Sequence, residues 1–339
     1  MKRRSFVIGS AAALLAVRSA RLFADNAAPT QRLIFGLPPG ALGTKLATGA
    51  LDILNGRAKS GYQLQVIDNR NTLQATETVK AAAPDGSTLL QVQSGSMTLF
   101  PSTYRNLKYD PMTDFTPLAV MGEYPFTLTL GPLVPASVTD VNGYLAWVQQ
   151  NPDYRDLGFA LYGSQSHLLA LMLAREKEVA LRAQSYKAAT AMFGDLQNQN
   201  LAACITVPGN TLGLGKGCRT VAVSSATRLE GWPQVATFSE QGLPSLAMLG
   251  WYGWFAPAQL PAATAQSLRT QIAAAQATPE FLALLKRLLL TPAPLNPAQI
   301  HERMSLELVE YQRLVKSYGL TQMAEAQTRS PVDAFATLS

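Results

Sequence analysis

The chain has 339 residues, enough for two modest domains, and its apolar share of 47% and charged share of 15% are those of a globular protein. The formal net charge is +6, but five positive charges precede the first acidic residue, Asp25; they are Lys2, Arg3, Arg4, Arg18 and Arg21. Without those five charges the chain carries only +1, which excludes the broad basic surface of a nucleic-acid-binding protein.

The N-terminus has the pattern of an export signal, because basic residues come first and an apolar run of about a dozen residues follows at 6–17. That run is too short to span a bilayer, and no later stretch reaches about 18 apolar residues. We therefore predict that residues 1–24 are a cleaved signal peptide and that the mature protein is periplasmic. Arg3-Arg4-Ser5-Phe6 resembles a twin-arginine signal, so the general secretory (Sec) route and the twin-arginine (Tat) route both stay open.

Strands and helices alternate from residue 32 onward, which indicates a mostly parallel sheet with crossover helices. A strand over 32–36 ends at the Pro38-Pro39-Gly40 turn, and an amphipathic helix over 42–58 follows it. A helix that begins after such a turn directs unpaired N–H groups, and about half a positive charge, towards a ligand. The next predicted elements are a strand at 63–67 and a helix at 76–83.

A turn, a buried strand and a polar loop are predicted between residues 83 and 117. Pro84-Asp85-Gly86 has the composition of a tight turn, and residues 88–92 have the apolar content of a buried strand. Ser94-Gly95-Ser96 is then expected to form a loop at the carboxyl end of that strand, where open α/β sheets hold ligands. Its hydroxyls and backbone N–H groups suit an anion.

The middle of the chain repeats this arrangement. A capping box from Ser137 to Asp140 is predicted to open a helix that ends at Gln150. A strand over 157–161 leads into Gly163 and Ser164, and a helix to about residue 178 follows, so a second strand–turn–helix junction is expected. The remaining predicted elements are strands at 118–120, 126–130, 201–207 and 219–224, and helices at 188–197, 262–277, 279–290 and 297–319.

Several ordered motifs resemble one family. The stretch after residue 83 contains P-D-G-x-T-L-L and then P-x-x-Y-x-x-L-x-Y-D-P-x-x-D-F-x-P. It resembles the Bug family, the periplasmic solute-binding proteins of tripartite tricarboxylate transporters. The resemblance covers about residues 33–320 and includes G-S-x-x-H-L from Gly163 to Leu168, Tyr186-Lys187, and W-x-G-x-x-A-P over 251–257.

The resemblance implies an α/β protein with the type II periplasmic binding protein clamshell, in which crossover strands join two α/β domains. The expected domains are residues 29–125 plus 250–339, and residues 126–249. A small carboxylate would be captured between them and delivered to the integral membrane subunits of the transporter. A ligand receptor that reports to a membrane sensor is the alternative. A monomer is expected, with no cofactor and no enzymatic activity.

The expected ligand contacts come from the strand-end loops and from the family motifs. A Ser/His hydrolase is a minor alternative for Ser164 and His167, but no G-x-S-x-G motif is present and nothing nominates an orienting acid. Arg70 and Lys187 could pair with a ligand carboxylate or be solvated surface charges, and Asp195 is expected to be a structural partner. The predicted ligand-binding residues are Pro39, Gly40, Thr44, Ser94, Ser96, Gly163, Ser164, His167, Tyr186 and Lys187.

Two loops of the first domain depart from the family pattern. The first is usually P-P-G-G-x-x-D, and here Thr44 stands in place of the acid. The second is usually E-N-R-P-G-A-G-G, and here it is D-N-R-N-T-L-Q-A over 68–75. Because Thr44 cannot attract an ammonium group, we predict that acidic amino acids are not ligands. A diverged paralogue without a tight ligand is the alternative.

The sequence contains only two cysteines, Cys204 and Cys218, and two distant histidines, His167 and His301, so the spacing of a metal site is missing. In an oxidising compartment the cysteines could form a disulfide, and two unpaired thiols are the equal alternative.

Overall fold

The computed structural model describes residues 31–67, 72–176 and 178–324. The predicted signal peptide lies outside the described residues, and so does Arg70 with its neighbours at 68–71. Within the described residues, no helix combines the length and the apolar content needed to cross a membrane.

The described residues form ten strands and eleven α-helices. The strands are β1 (Arg32–Phe35), β2 (Gln63–Val66), β3 (Thr88–Gln93), β4 (Phe115–Pro125), β5 (Thr127–Leu130), β6 (Asp156–Ala160), β7 (Arg182–Tyr186), β8 (Ala203–Thr206), β9 (Arg219–Val223) and β10 (Leu249–Pro257). The helices are α1 (Leu42–Ala58), α2 (Leu73–Lys80), α3 (Ser94–Thr98), α4 (Phe100–Thr103), α5 (Val141–Gln150), α6 (Gln165–Glu176), α7 (Ala189–Gln197), α8 (Pro208–Thr211), α9 (Ala262–Gln276), α10 (Pro279–Arg287) and α11 (Pro297–Ser317).

The first sheet has the strand order β2-β1-β3-β10-β4. β1 pairs in parallel with β2 and β3, whereas β10 pairs antiparallel with both β3 and β4. The expectation of a mostly parallel sheet therefore holds for β1, β2, β3 and β4, which run in one direction, and fails for β10, which the returning chain inserts in the opposite direction between β3 and β4. We call this sheet with α1–α4 and α9–α11 the first lobe.

The second sheet has the strand order β7-β6-β8-β5-β9. β6 pairs in parallel with β7 and β8, and β5 pairs antiparallel with β8 and β9. We call this sheet with α5–α8 the second lobe. β7 is not predicted from the sequence because its residues, RAQSY, contain no apolar run; it is an edge strand and stays half-buried.

The chain passes between the lobes through two short connections that one serine ties together. Phe126 is the single residue between β4 and β5, and Met248 precedes β10 on the return. The Ser224 hydroxyl accepts a hydrogen bond from the Phe126 N–H at 2.7 Å and donates to the Met248 carbonyl at 2.5 Å. The Ser224 backbone also bonds to both residues, so the two connections form one hydrogen-bonded unit.

The apolar core is continuous through both lobes. Leu33 and Phe35 of β1, and Leu128 and Leu130 of β5, belong to the same cluster of buried side chains. Ile34 is also fully buried, in a neighbouring cluster, so both faces of β1 are covered. This is expected of a strand in the parallel part of a sheet that has helices on both faces.

Three predictions differ from the structure in where a helix begins or in which residue caps it. The helix predicted at 76–83 is α2, which begins at Leu73 directly after Thr72 in a left-handed conformation. Ser94-Gly95-Ser96 is the first turn of α3 and not a loop. The predicted capping box is wrong, because Asp140 is the N-cap of α5 and accepts from the Gly143 N–H at 2.7 Å.

The strand predicted at 118–120 is the middle of β4, which has 11 residues and pairs along its length with β10. Its polar residues obscure the strand pattern in the sequence.

Cys204 and Cys218 are both free thiols. Cys204 lies on β8 and Cys218 directly precedes β9, with β5 between these two strands. Cys204 is buried and Cys218 is half-buried, and both belong to one small apolar cluster.

Candidate functional site

Helix beginnings from both lobes meet at one place, which we call the junction. In the first lobe α1 follows β1 and α3 follows β3, and in the second lobe α6 follows β6 and α8 follows β8. Gly209 on α8 lies so close to Leu42 on α1 that an added Cβ would come within 2.5 Å of a Leu42 methyl group. The first turn of each helix also leaves backbone N–H groups without an intrahelical partner.

The best-defined polar contacts across the junction involve Gln165. Its Oε1 accepts a hydrogen bond from the Ser94 hydroxyl at 3.2 Å, and its Nε2 donates to the Tyr311 hydroxyl at 2.5 Å. Gln165 belongs to the second lobe, and Ser94 and Tyr311 belong to the first. Ser94 is fully buried, and its hydroxyl also accepts from the Trp251 N–H at 3.2 Å.

Buried tyrosines line the first-lobe side of the junction. The Tyr252 hydroxyl accepts from Gln93 Nε2 at 3.3 Å and bonds to the Gly43 N–H in the first turn of α1. The Tyr124 ring packs against the Tyr252 ring with centroids 4.9 Å apart. Burial raises the pKa of both phenols, so they are neutral hydroxyls that can donate hydrogen bonds at physiological pH.

The cation beside the junction is already paired. Arg303 Nε donates to Glu307 at 2.8 Å, and its other end contacts Glu123. Glu307 also accepts from Trp251 Nε1 at 2.9 Å and from the Thr98 hydroxyl at 3.0 Å. Both carboxylates and the guanidinium therefore hold α11 against the first sheet.

The first predicted loop forms the turn before α1. Pro39 and Gly40 are exposed, and Gly40 has φ +89°, which only glycine adopts without strain. Thr44 is buried and its hydroxyl donates to the Pro38 carbonyl at 2.8 Å, so it closes the turn onto the helix. The hydroxyl proton of Thr44 is therefore already hydrogen-bonded within its own loop.

Ser94 and Ser96 have different roles although they lie on the same short helix. Ser94 is part of the junction. Ser96 is also buried, but its hydroxyl lies 2.8 Å from the Thr72 hydroxyl and its carbonyl accepts from Tyr109. Ser96 therefore fixes the start of α2 against α3.

The motif from Gly163 to His167 supports the beginning of α6. The Ser164 hydroxyl accepts from the His167 N–H at 3.2 Å and donates to the Ala160 carbonyl at 3.0 Å, so Ser164 is the helix N-cap. Gly163 has φ +73°, and an added Cβ would meet the Met323 methyl group at 2.7 Å. The motif thus packs directly against the first lobe.

His167 is buried and holds the loop with its ring. Nδ1 accepts from the Gly163 N–H at 3.2 Å, and the imidazole stacks on Phe159 with centroids 4.3 Å apart. Burial lowers the pKa of His167 to about 4. The histidine is therefore neutral at physiological pH, and its ring supports the loop.

Tyr186 and Lys187 lie at the end of the edge strand β7. The Tyr186 hydroxyl donates to Asp195 on α7 at 2.9 Å, and burial together with this bond raises the pKa of Tyr186. Asp195 is thus the structural partner that the sequence suggested. Lys187 is exposed. For all ten predicted residues, ligand contact itself stays a prediction.

Replacing Ser164 by alanine is expected to lower the free energy of unfolding by about 1 kcal/mol, because alanine cannot cap α6. If the Ser164 hydroxyl also contacts a buried ligand carboxylate, the substitution removes that hydrogen bond and weakens ligand binding by about 1–3 kcal/mol. Urea denaturation measures the first effect and calorimetry with a bound carboxylate the second. Ser166→Ala, two residues further along the first turn, is the control. Equal stability of the two variants would contradict the capping role, and unchanged affinity would remove Ser164 from the ligand site.

Three residues of the junction were not among the predicted contacts. Gln165 lies inside the G-S-x-x-H-L motif at a position that the motif leaves open. Tyr311 lies on the last helix, where its ring packs in the core and its hydroxyl bonds Gln165. Tyr252 lies in the predicted crossover, where a phenol among large apolar residues signals a buried hydroxyl that needs a partner.

A separate groove of about 410 Å³ lies between α10 and the loop that contains Glu230. Leucines 282, 285, 289 and 290 contribute apolar surface, and Lys286 pairs with Glu230 across it. None of the ten predicted ligand-binding residues lines this groove.

Residues 51–320 match the family described as tripartite tricarboxylate transporter family receptors. A UPF0065 protein encoded in the tcbD-tcbE intergenic region of Pseudomonas sp. strain P51 is 27% identical over 334 residues, which cover 94% of this chain and 95% of that protein.

Two solved structures have a similar fold. The periplasmic binding protein BugD superposes with a TM-score of 0.78 at 22% identity, over 87% of this chain and 99% of BugD. A protein of R. palustris solved with adipate gives a TM-score of 0.80 at 22% identity, over 88% of this chain and 100% of that protein.

Proposed function

The chain belongs to the tripartite tricarboxylate transporter receptor family, so it is a solute-binding protein, and we propose that its solute is a small carboxylate held between the two lobes. The membership confirms the resemblance drawn from the sequence motifs. The likeness to BugD and to the R. palustris protein confirms the type II clamshell of two α/β lobes.

The meeting of helix beginnings from both lobes supports this proposal most strongly. At the junction, the first turns of α1 and α6 lie near the hydroxyls of Ser94, Tyr252 and Tyr311. Such N–H groups and hydroxyls bind anions, and the partial positive charge of a helix N-terminus adds to the attraction. The R. palustris protein, of similar fold, was solved with the dicarboxylate adipate.

Among the residues that the structure describes, neutral donors would hold a ligand carboxylate at the junction. Arg303 is the cation beside Tyr311, and it is committed to Glu123 and Glu307. Hydrogen bonds from neutral N–H and O–H groups to a carboxylate are charge-assisted, so the ligand needs no ion pair to be bound well.

Hydrolysis is not the function that the geometry supports. The Ser164 hydroxyl donates to the Ala160 carbonyl, and its contact to His167 is with the backbone N–H. The imidazole presents Nδ1 to the Gly163 N–H and is stacked against Phe159. A nucleophile and its base must share a hydrogen bond, and these two side chains are instead used to build the loop.

The ligand is proposed to lack an ammonium group, and a matched pair of compounds tests this. L-Malate and L-aspartate carry the same two carboxylates and differ in a hydroxyl against an ammonium group. We expect malate to raise the melting temperature and aspartate to leave it unchanged, because Thr44 offers no negative charge and its hydroxyl is bonded to its own turn. Thermal-shift measurements and then calorimetry provide the comparison.

A larger shift with aspartate than with malate would contradict the preference for a ligand without a cation. If no compound in a panel of mono-, di- and tricarboxylates stabilises the protein, the carboxylate proposal itself is wrong and a diverged paralogue is favoured. Adipate belongs in the panel because the R. palustris protein was solved with it.

The closed, loaded clamshell is proposed to act in the periplasm, as a monomer, by delivering the solute to the transporter's membrane subunits. If the protein delivers its solute to a permease, deleting the protein should reduce uptake of that solute into the cell. A receptor that reports to a sensor would instead leave uptake unchanged when the chain is deleted.

A further inference from the structure

Gln165 is a buried polar side chain that crosses the junction. It is the first residue of α6 in the second lobe and is only 5% exposed. A glutamine in the first turn of a helix usually extends into solvent, because burying an amide requires partners for its oxygen and its nitrogen. Here both partners belong to the other lobe.

The contacts of Gln165 are those that a ligand carboxylate would make. The amide oxygen accepts from the Ser94 hydroxyl, and the amide nitrogen bonds the Tyr311 hydroxyl. A carboxylate can replace both contacts by accepting hydrogen bonds from the two hydroxyls, since a tyrosine hydroxyl can reverse its role from acceptor to donor. Bonds to the ionised group are stronger than bonds to a neutral amide.

The first lobe provides room for this side chain. Gly95 lies next to Ser94 in the first turn of α3, and a Cβ added there would approach Gln165 Oε1 to 3.3 Å and its Cδ to 3.7 Å. Any larger residue at position 95 would press on the amide. The glutamine is thus seated on the surface of the first lobe as well as hydrogen-bonded to it.

We propose that Gln165 is a latch that keeps the lobes together without ligand, and that an incoming carboxylate displaces it from Ser94 and Tyr311. The latch makes Gln165 a residue that determines affinity, because binding must replace two existing hydrogen bonds. A ligand shifts the lobes only through contacts that differ between the two states, so weakening an internal competitor increases apparent affinity. The claim that a carboxylate displaces Gln165 rests on the proposed function. The claim that Gln165 holds the lobes together does not.

Small-angle X-ray scattering of the ligand-free protein tests the latch. We expect Gln165→Ala to have a larger radius of gyration than the wild type, because the lobes separate more often. Gln149→Ala makes the same change on the exposed face of α5 in the same lobe and is expected to scatter like the wild type. Equal radii for Gln165→Ala and the wild type would overturn the latch.

Tyr311→Phe provides a second route that leaves Gln165 and the aromatic ring in place. It removes only the hydroxyl that the amide nitrogen bonds, and it is expected to expand the ligand-free protein in the same direction. Circular dichroism confirms that both variants are folded before scattering is interpreted. Expansion in Gln165→Ala without expansion in Tyr311→Phe would show that the Tyr311 bond is not part of the latch and would overturn the proposal in this form.

Calorimetry with malate as the probe tests displacement. Losing the competitor should lower the Kd of Gln165→Ala by about 10-fold, equivalent to about 1.4 kcal/mol. A Kd that rises by the same factor would show that Gln165 contacts the ligand and would overturn displacement. Failure of malate and every other carboxylate to bind either protein would refute the proposed function, whereas the scattering result decides the latch independently of any ligand.

Discussion

Replacing Arg303 by methionine is expected to lower the free energy of unfolding by about 3 kcal/mol. The guanidinium is 22% exposed and lies between Glu123 and Glu307, which are 19% and 18% exposed. Methionine retains most of the volume and removes the charge, so two poorly solvated carboxylates lose the cation that they share. Chemical denaturation at neutral pH measures the loss.

Arg313→Met is the matched control for this variant. Arg313 lies on the same helix and pairs with Glu310, but its side chain is 64% exposed, and such surface pairs contribute at most about 1 kcal/mol. Adding Glu123→Gln to Arg303→Met should restore part of the lost stability because it removes one of the two carboxylates left without the cation. Equal stabilities of the Arg303 and Arg313 variants would show that the cluster is as well solvated as a surface pair.

The contribution of His167 to the free energy of unfolding is expected to fall by about 2 kcal/mol when the pH is lowered from about 7.5 to about 5. Burial lowers the pKa of His167 from 6.5 to about 4. Between these values the unfolded chain binds a proton that the folded chain excludes. The contribution of His167 is therefore complete above about pH 6.5 and is lost progressively as the pH falls towards 4.

His167→Asn separates this contribution from those of the carboxylates. The asparagine oxygen can accept the Gly163 N–H in place of Nδ1 and does not titrate in this range. The variant should therefore show a flatter pH dependence, whatever its absolute stability. His301→Asn makes the same substitution at the other histidine, which is exposed on α11, and serves as the comparison. A slope in His167→Asn equal to that of the wild type would assign the pH dependence to other groups.

The strand–turn–helix units could be predicted from the sequence because their signals are local. Leu33 to Phe35 form an apolar run before the Pro38-Pro39-Gly40 turn, and α1 begins within two residues of that turn. The predicted start and end of α1 match the observed ones. Ser164 was placed correctly before a helix, and its capping role follows from the residue type.

The contacts of the junction could not be predicted because their partners are distant in sequence. Gln165 is 71 residues from Ser94 and 146 residues from Tyr311. Ser94-Gly95-Ser96 favours a turn by its composition, but packing against α11 and β10 makes it a helix. Tertiary contacts thus override local preference at the place where the lobes meet.

Ser224 couples the two connections between the lobes. Its hydroxyl joins the Phe126 N–H to the Met248 carbonyl, so neither connection can bend without the other. Motion of one lobe relative to the other therefore acts on both connections at once.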